Sequence, residues 1–435
     1  MLPPRPGAVV PEPVGDRLAV AGCRRNPAAP HQGCRCQAAS STASHQESVG
    51  PGISGYAPSV PSRFPASRVG LWAVTFGLAS LIFEVGFRAY ALTPSDFQTF
   101  LAASHRLLAG LPLYGGAFVS PPELAVVLVP LTMVPLPVAY AMFVSASIGV
   151  LAWGTGSYAR ELGLPPWGTA LAVVLCPQGW WGLMLGQPDA LLAGLLLLAI
   201  VAVRHQRWSV AGAIGPWLLL KPDLTWPVVP LLIAAAWKDA EARLPLATGL
   251  ALGASTFLLL GGWLLPSWAV GLFHFGSSSQ FEDLLSGLPD LLGGQLRAAP
   301  AHQILASPLT WAIVGAGVTA MAVAGVLAWR RAISSSQRAE WMLLVPLAIW
   351  IATSPYLHVE DALFAVPLAL RLADSGNAWF RLPVLLILLP WVVFPTWGSL
   401  AGICALGLAA AGVALMVREM GMRPEGAPVD SAAAT

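Results

Sequence analysis

The stretch PQGWWGLMLGQPDALLAGLLLLAIVAVR, residues 177–204, decides the fold class. An apolar run ends at Leu185, Gly186 and Pro188 interrupt the backbone around Gln187, and a second run leads from Ala190 to Arg204. An uninterrupted helix needs about 20 apolar residues to cross the hydrocarbon core. The segment 168–185 has the length of a full span, 189–203 is short by that measure, and the two meet at a polar junction. Short, broken helices are tolerated in a membrane only where they pack in protein or line a cavity. The stretch therefore predicts an all-α polytopic membrane protein with a polar site, not a simple anchor.

The rest of the chain agrees. Of its 435 residues 56% are hydrophobic and only 10% are charged, against about 25% charged in a soluble domain. Mean hydropathy is +0.69. The formal net charge of +2 comes with no basic stripe, so nucleic acid is not an expected partner. Segments 71–92, 138–157, 246–265, 308–329 and 398–416 have the length of full spans, whereas 209–220, 224–237, 340–354, 361–372 and 382–396 are shorter. Residues 121–136 hold three internal prolines and read as an interfacial or re-entrant helix. Basic residues stay in short cytoplasmic loops. Arg63 and Arg68, Arg160, Arg204 and Arg207, Lys238 and Arg243, Arg330, Arg331 and Arg338, Arg371 and Arg381, and Arg418 and Arg423 mark one face accordingly. The expectation is about twelve spans, within a range of roughly ten to thirteen, with both ends inside. Residues 1–68, rich in Pro, Ala and Ser, read as a disordered cytoplasmic tail, 69–420 as the membrane domain and 421–435 as a short disordered C-terminal tail.

On this topology four polar stations share the extracytoplasmic face. Asp96 follows the first span and opens an amphipathic stretch, SDFQTFLAASHRLLAGLPLY at 95–114, suited to an interfacial helix. A carboxylate held there is placed to act as a general base on a hydroxyl; it could equally cap the helix 97–109. Gln187 and Asp189 offer groups for sugar hydroxyls, although Asp189 is also placed to cap the span beginning at Ala190. Lys221, one of only two lysines, could hold a lipid phosphate as a point charge. Its bland alternative is a snorkelling side chain paired with Asp223. His358, Glu360 and Asp361 stand beyond a span broken at Pro355. Imidazolium suits a phosphate, a metal could use the N and O ligands, and a solvated interfacial histidine is the third reading. No second His or carboxylate cluster has ligand spacing, so neither metal nor cofactor is expected. The 266–307 loop is either solvated or a lid. Cys176 and Cys404 sit singly in apolar runs and read as small buried hydrophobes.

Taken together, DFQTFLAASHRLLAGLPLY at 96–114, SPPELAVVLVPL at 120–131, GQPDALL at 186–192, LLLKPDLTWPVVPLL at 218–232 and SPYLHVEDALF at 354–364 resemble glycosyltransferase family 87. This is the polyprenol-phosphate-mannose-dependent group within the GT-C superfamily of membrane enzymes. The motifs occur in the family's order, and the resemblance covers roughly residues 71–417. The resemblance implies a multi-pass cell-membrane enzyme with a polyprenyl-phosphate-sugar donor and a glycan or glycolipid acceptor on the extracytoplasmic side. It implies Asp96 as base and Lys221 and His358 at the donor phosphate. Gln187, Asp189, Tyr114, Glu360 and Asp361 fall to the substrate. The family commonly has Asn where Asp189 stands and an aromatic where Glu360 stands, which leaves the sugar and acceptor open. A transporter or flippase of lipid-linked sugars would share the broken helices, but would also place polar residues at the midplane. Glu84 and Arg88 are the main midspan charges there, one turn apart and able to pair with each other.

Overall fold

The computed structural model describes residues 95–114, 118–275, 307–331, 334–355, 357–358, 360–375 and 398–421. Helices succeed one another along all of them, and no strand occurs among the described residues. Helix α1 (Ser95–Leu108) is followed by α2 (Pro122–Leu128), which runs into a 3-10 turn at Val129–Met133. Then come α3 (Leu136–Glu161), α4 (Pro166–Val174), α5 (Pro177–Leu185), α6 (Asp189–Arg204), α7 (Trp208–Leu218) and the single turn α8 (Pro222–Thr225). The remainder are α9 (Val228–Ala236), α10 (Ala240–Gly261), α11 (Leu265–Phe275), α12 (Pro308–Arg331), α13 (Ser335–Thr353), α14 (Val366–Asp374) and α15 (Gly398–Gly421). A further 3-10 helix, Glu360–Ala365, precedes α14.

Three of the described helices, spanning Leu136–Glu161, Ala240–Leu272 and Pro308–Arg330, are long and apolar enough to cross a membrane. A fourth candidate counts the pair Pro166–Val174 and Gln178–Leu185, bent by 57°, as one span. These match the expected segments 138–157, 246–265, 308–329 and 168–185. Helix α15 has 24 residues, most of the others are shorter, and prolines start or interrupt several of them: Pro222 begins α8, and Pro216 and Pro346 lie inside α7 and α13. The expected span 71–92, the tail 1–68, residues 276–306 of the long loop, 382–396 and 422–435 lie outside the described residues.

Small residues let the long helices approach closely, the usual solution where lipid leaves no hydrophobic drive between helices. On α10, a Cβ at Gly249 would lie 2.1 Å from the Ser209 carbonyl oxygen of α7. One at Gly253 would lie 2.4 Å from that of Ala213. Gly154 of α3 meets Gly194 of α6 in the same way, at 2.4 Å. Helix α13 is buried from Arg338 to Thr353 and apolar all round from Trp341 to Ala352, as expected of a helix enclosed by others. It packs on α6, α9, α12 and α15.

Helix α6, about 24 Å long at 1.5 Å per residue, joins two poles. At one end lies Asp189, and at the other Arg204, which pairs with Glu340 near the start of α13. The N-terminal helix α1 sits at the Asp189 pole. Its apolar face is turned into the protein: Phe97 is fully buried against Tyr140 and Phe143, and Phe100 meets Phe118 edge-on.

Candidate functional site

Three helix breaks converge at the Asp189 pole. The first is the GQPD junction between α5 and α6. Helix α5 ends with Gly186 in the left-handed region, φ 73°, which L side chains rarely adopt. The same position admits no Cβ, because one would fall 2.4 Å from Cβ of Phe97. Tyr140 donates its hydroxyl to the carbonyls of Leu183 and Met184, at 2.8 and 3.1 Å, and so satisfies the end of α5. With the turn locked against α1, Gln187 Nε2 donates to Asp96 Oδ2 at 2.7 Å.

The second break is the KPD junction between α7 and α8. Thr225 donates its hydroxyl to the carbonyls of Leu218 and Lys221, at 2.6 and 2.8 Å, covering oxygens that the broken helix leaves open. Trp350 Nε1 donates to the Asp223 carbonyl at 2.9 Å, which ties this junction to α13. The third break follows α13, where the chain turns through Ser354 and Pro355 into the 3-10 helix that begins at Glu360.

Lys221 joins all three. Its ammonium donates to Asp189 Oδ1 at 2.8 Å and to Asp361 Oδ1, and both carboxylates are fully buried. Asp361 Oδ2 accepts the backbone N–H of His358 at 2.6 Å, so one carboxylate holds both Lys221 and the segment bearing His358. Burial opposes the charge on Lys221, but Asp189 and Asp361 hold its pKa well above the ordinary lysine value. Burial pushes the Glu360 carboxyl up from its ordinary range, with His358 and Lys221 opposing. Glu360, 2% exposed, rests against Gly182 of α5, where an added Cβ would come within 3.0 Å of it.

The pairing departs from two of the simple expectations. Asp189 does not cap α6, whose N-cap is Pro188 with no side-chain cap bond; its carboxylate is spent on Lys221. Lys221 takes Asp189 and Asp361 as hydrogen-bond partners in place of Asp223. Asp96, Gln187, Asp189, Lys221, His358, Glu360 and Asp361 thus gather at one pole. Tyr114 is engaged elsewhere: its hydroxyl donates to the Ser120 carbonyl at 3.3 Å and its ring stacks on Phe118.

One residue beside Tyr114 was not singled out in the sequence. Glu123 is fully buried, neither carboxylate oxygen has a hydrogen-bond partner, and burial raises its pKa. Gly261 leaves the space it occupies, since a Cβ there would meet Glu123 Cγ and Cδ at 3.0 Å. Within SPPELAVVL Glu123 is the one charged residue at the start of an apolar helix, and the glycine that makes room for it lies 138 positions away.

Chemically, the pole offers a half-buried carboxylate oriented by an amide, a lysine with two of its three protons engaged by carboxylates, and a half-buried imidazole. Among the described residues no group of three or more His, Cys, Asp or Glu could hold a metal ion. The model of glycosyltransferase family 87 matches residues 118–355. That range contains Gln187, Asp189 and Lys221 and leaves Asp96, Tyr114, His358, Glu360 and Asp361 outside it. No curated protein and no solved structure matches the chain.

Proposed function

The chain belongs to glycosyltransferase family 87, with more than half of its length matched, and on that premise we propose that it transfers a hexose, mannose by resemblance, from a polyprenyl-phosphate donor to a glycan or glycolipid acceptor at the Asp189 pole. The protein is a membrane glycosyltransferase by its family and its apolar helices. The observation that carries the finer reading is the contact between Asp96 and Gln187, on the same junction that supplies Asp189 to Lys221.

In this mechanism an acceptor hydroxyl approaches the Asp96 carboxylate, which Gln187 orients. Asp96 takes the hydroxyl proton as the oxygen attacks the anomeric carbon. The bond from that carbon to the phosphate oxygen breaks, and polyprenyl phosphate leaves with the electron pair. Lys221 directs its remaining proton to the phosphate, and His358 stands beside it. Fixed cationic donors of this kind stabilise the charge that grows on the leaving group. A single displacement inverts the anomeric centre, since retention would need a second, nucleophilic carboxylate. Asp189 and Glu360 contribute to the substrate pocket, and Asp361 acts chiefly by holding Lys221 and His358 in place.

The cations support the sidedness of this reading. Arg204, Lys238, Arg243, Arg338 and Arg371 belong to the opposite pole, at the ends of α6, α9, α10, α13 and α14. Cytoplasmic retention of Lys and Arg supports an extracytoplasmic site and about twelve spans in the cell membrane.

The test is purified protein in lipid vesicles, supplied with polyprenyl-phospho-mannose and a panel of glycan acceptors. Formation of a glycosidic product of inverted configuration, read by mass spectrometry and NMR, is the expected result. Movement of donor across the bilayer with no glycosidic product, or transfer only from a nucleotide sugar, would refute it.

A further inference from the structure

A second feature lies at the opposite pole, remote from the candidate site. Between α9 and α12 an open groove of about 480 Å³ is walled by Pro230, Ile233, Ala234, Trp237 and Trp329. That volume is within the range of small-molecule sites, about 300–1,000 Å³. Its walls are apolar, and Trp237 is 64% exposed. Two helices apolar enough to cross a membrane reach their ends here: the Pro308–Arg330 span finishes one residue beyond Trp329, and the Ala240–Leu272 span begins three residues after Trp237. The groove therefore sits where hydrocarbon gives way to headgroups.

Each tryptophan at its mouth carries a cation. Lys238 Nζ lies 3.8 Å from the centre of the Trp329 ring and donates to the Trp329 carbonyl at 3.4 Å. The Arg243 guanidinium lies 5.8 Å from the Trp237 ring and donates through Nε to the Trp237 carbonyl at 2.7 Å. Arg330 is exposed beside Trp329. Of the acids nearby, Asp239 is occupied in capping α10, accepting from the N–H groups of Glu241 and Ala242, and Glu241 is exposed. Three exposed cations against those two acids leave the mouth positive. An apolar trough closed at headgroup level by aromatic-seated cations fits an amphiphile with a hydrocarbon chain and an anionic head.

We propose that the groove binds an anionic phospholipid, one acyl chain lying along Ile233 and Trp329 and the phosphate between Lys238 and Arg243. Lys238 supplies a mobile point charge and Arg243 a planar fork, a combination that matches a phosphate oxygen cluster. The site is independent of the proposed sugar transfer, and its test does not read activity.

Native mass spectrometry of the purified full chain, offered an equimolar mixture of phosphatidylglycerol and phosphatidylcholine, decides the matter. Wild type should retain phosphatidylglycerol preferentially. K238Q and R243Q, both on exposed side chains, should each weaken that retention by roughly fivefold, equivalent to ~1 kcal/mol per Lys or Arg near an anionic lipid surface, and leave phosphatidylcholine unchanged. Ile233→Trp, which fills the groove, should lower retention of phosphatidylglycerol with the charges intact. Equal retention of the two lipids by wild type would overturn the proposal. So would phosphatidylglycerol binding that survives either the charge variants or the groove-filling variant.

Discussion

At the Arg204 end of α6, Glu340 accepts from Tyr158 and Arg204 on one oxygen and from Arg204 on the other, at 2.7–2.8 Å. Arg204 also faces Glu161, and Arg371 pairs with Asp374 and Glu419. At the Asp189 end the pattern is different. Asp189 Oδ2 is buried with no hydrogen-bond partner, and Lys221 serves two carboxylates. Buried charge is costly unless paired, so both clusters need a justification. In the Arg204 cluster Arg371 Nε also lacks a hydrogen-bond partner, but it lies 3.8 Å from Glu340 Oε1, so the cluster is a clasp closed by ion pairs that fastens α3, α6, α13, α14 and α15. The Asp189 cluster stays open to a further group, and open polar groups in a membrane protein mark pathways and ligands.

The largest effect should come from breaking the open cluster. Lys221→Met leaves Asp189 and Asp361 without their cation, and transfer should fall by about 10³-fold as the donor phosphate loses its charge partner. Turnover in vesicles checks it; near-normal transfer would remove Lys221 from the donor site. Glu340→Ala, in the closed clasp, should cost ~3 kcal/mol of stability by stranding Arg204, visible as a lower unfolding temperature, while turnover per folded molecule holds. If turnover fell with stability unchanged, the two poles would not be functionally distinct.

A smaller effect is expected at the junction. Gly186→Ala places a methyl 2.4 Å from Phe97 Cβ in a left-handed residue and should cost ~1–3 kcal/mol. Because the turn carries Gln187, it should also lower kcat more than it raises KM; an effect on stability alone would confine Gly186 to a structural role. The smallest concerns Glu360. A carboxyl held above its ordinary range favours the protonated protein, so its contribution is full at low pH and is lost as pH rises through that range toward the raised value. Glu360→Gln removes that slope and should gain on wild type with rising pH in thermal unfolding. Parallel curves would show that Glu360 carries no such shift.

Much of the site was legible because helix breaks are written locally. Gly186, Pro188, Pro222 and Pro355 interrupt apolar runs, and the polar residues beside them had to face something other than lipid. Their partners were not legible. Lys221 meets Asp189 across 32 positions and Asp361 across 140, and no periodicity encodes such a pairing. The nearer Asp223 was the natural local guess. The helical class and three of the long spans followed directly from apolar length, whereas the short helices depend on packing that hydropathy does not contain. Glu123 went unnoticed for a similar reason: the space that admits it is a glycine on α10.

The central claim is that Asp96 removes the acceptor proton. Asp96→Asn keeps the shape and a polar contact for Gln187 and removes only the basic oxygen. Initial rates of hexose transfer by the reconstituted variant, normalised to folded protein, should fall by about 10²–10⁴-fold with donor binding retained. Transfer at close to the wild-type rate would contradict the assignment.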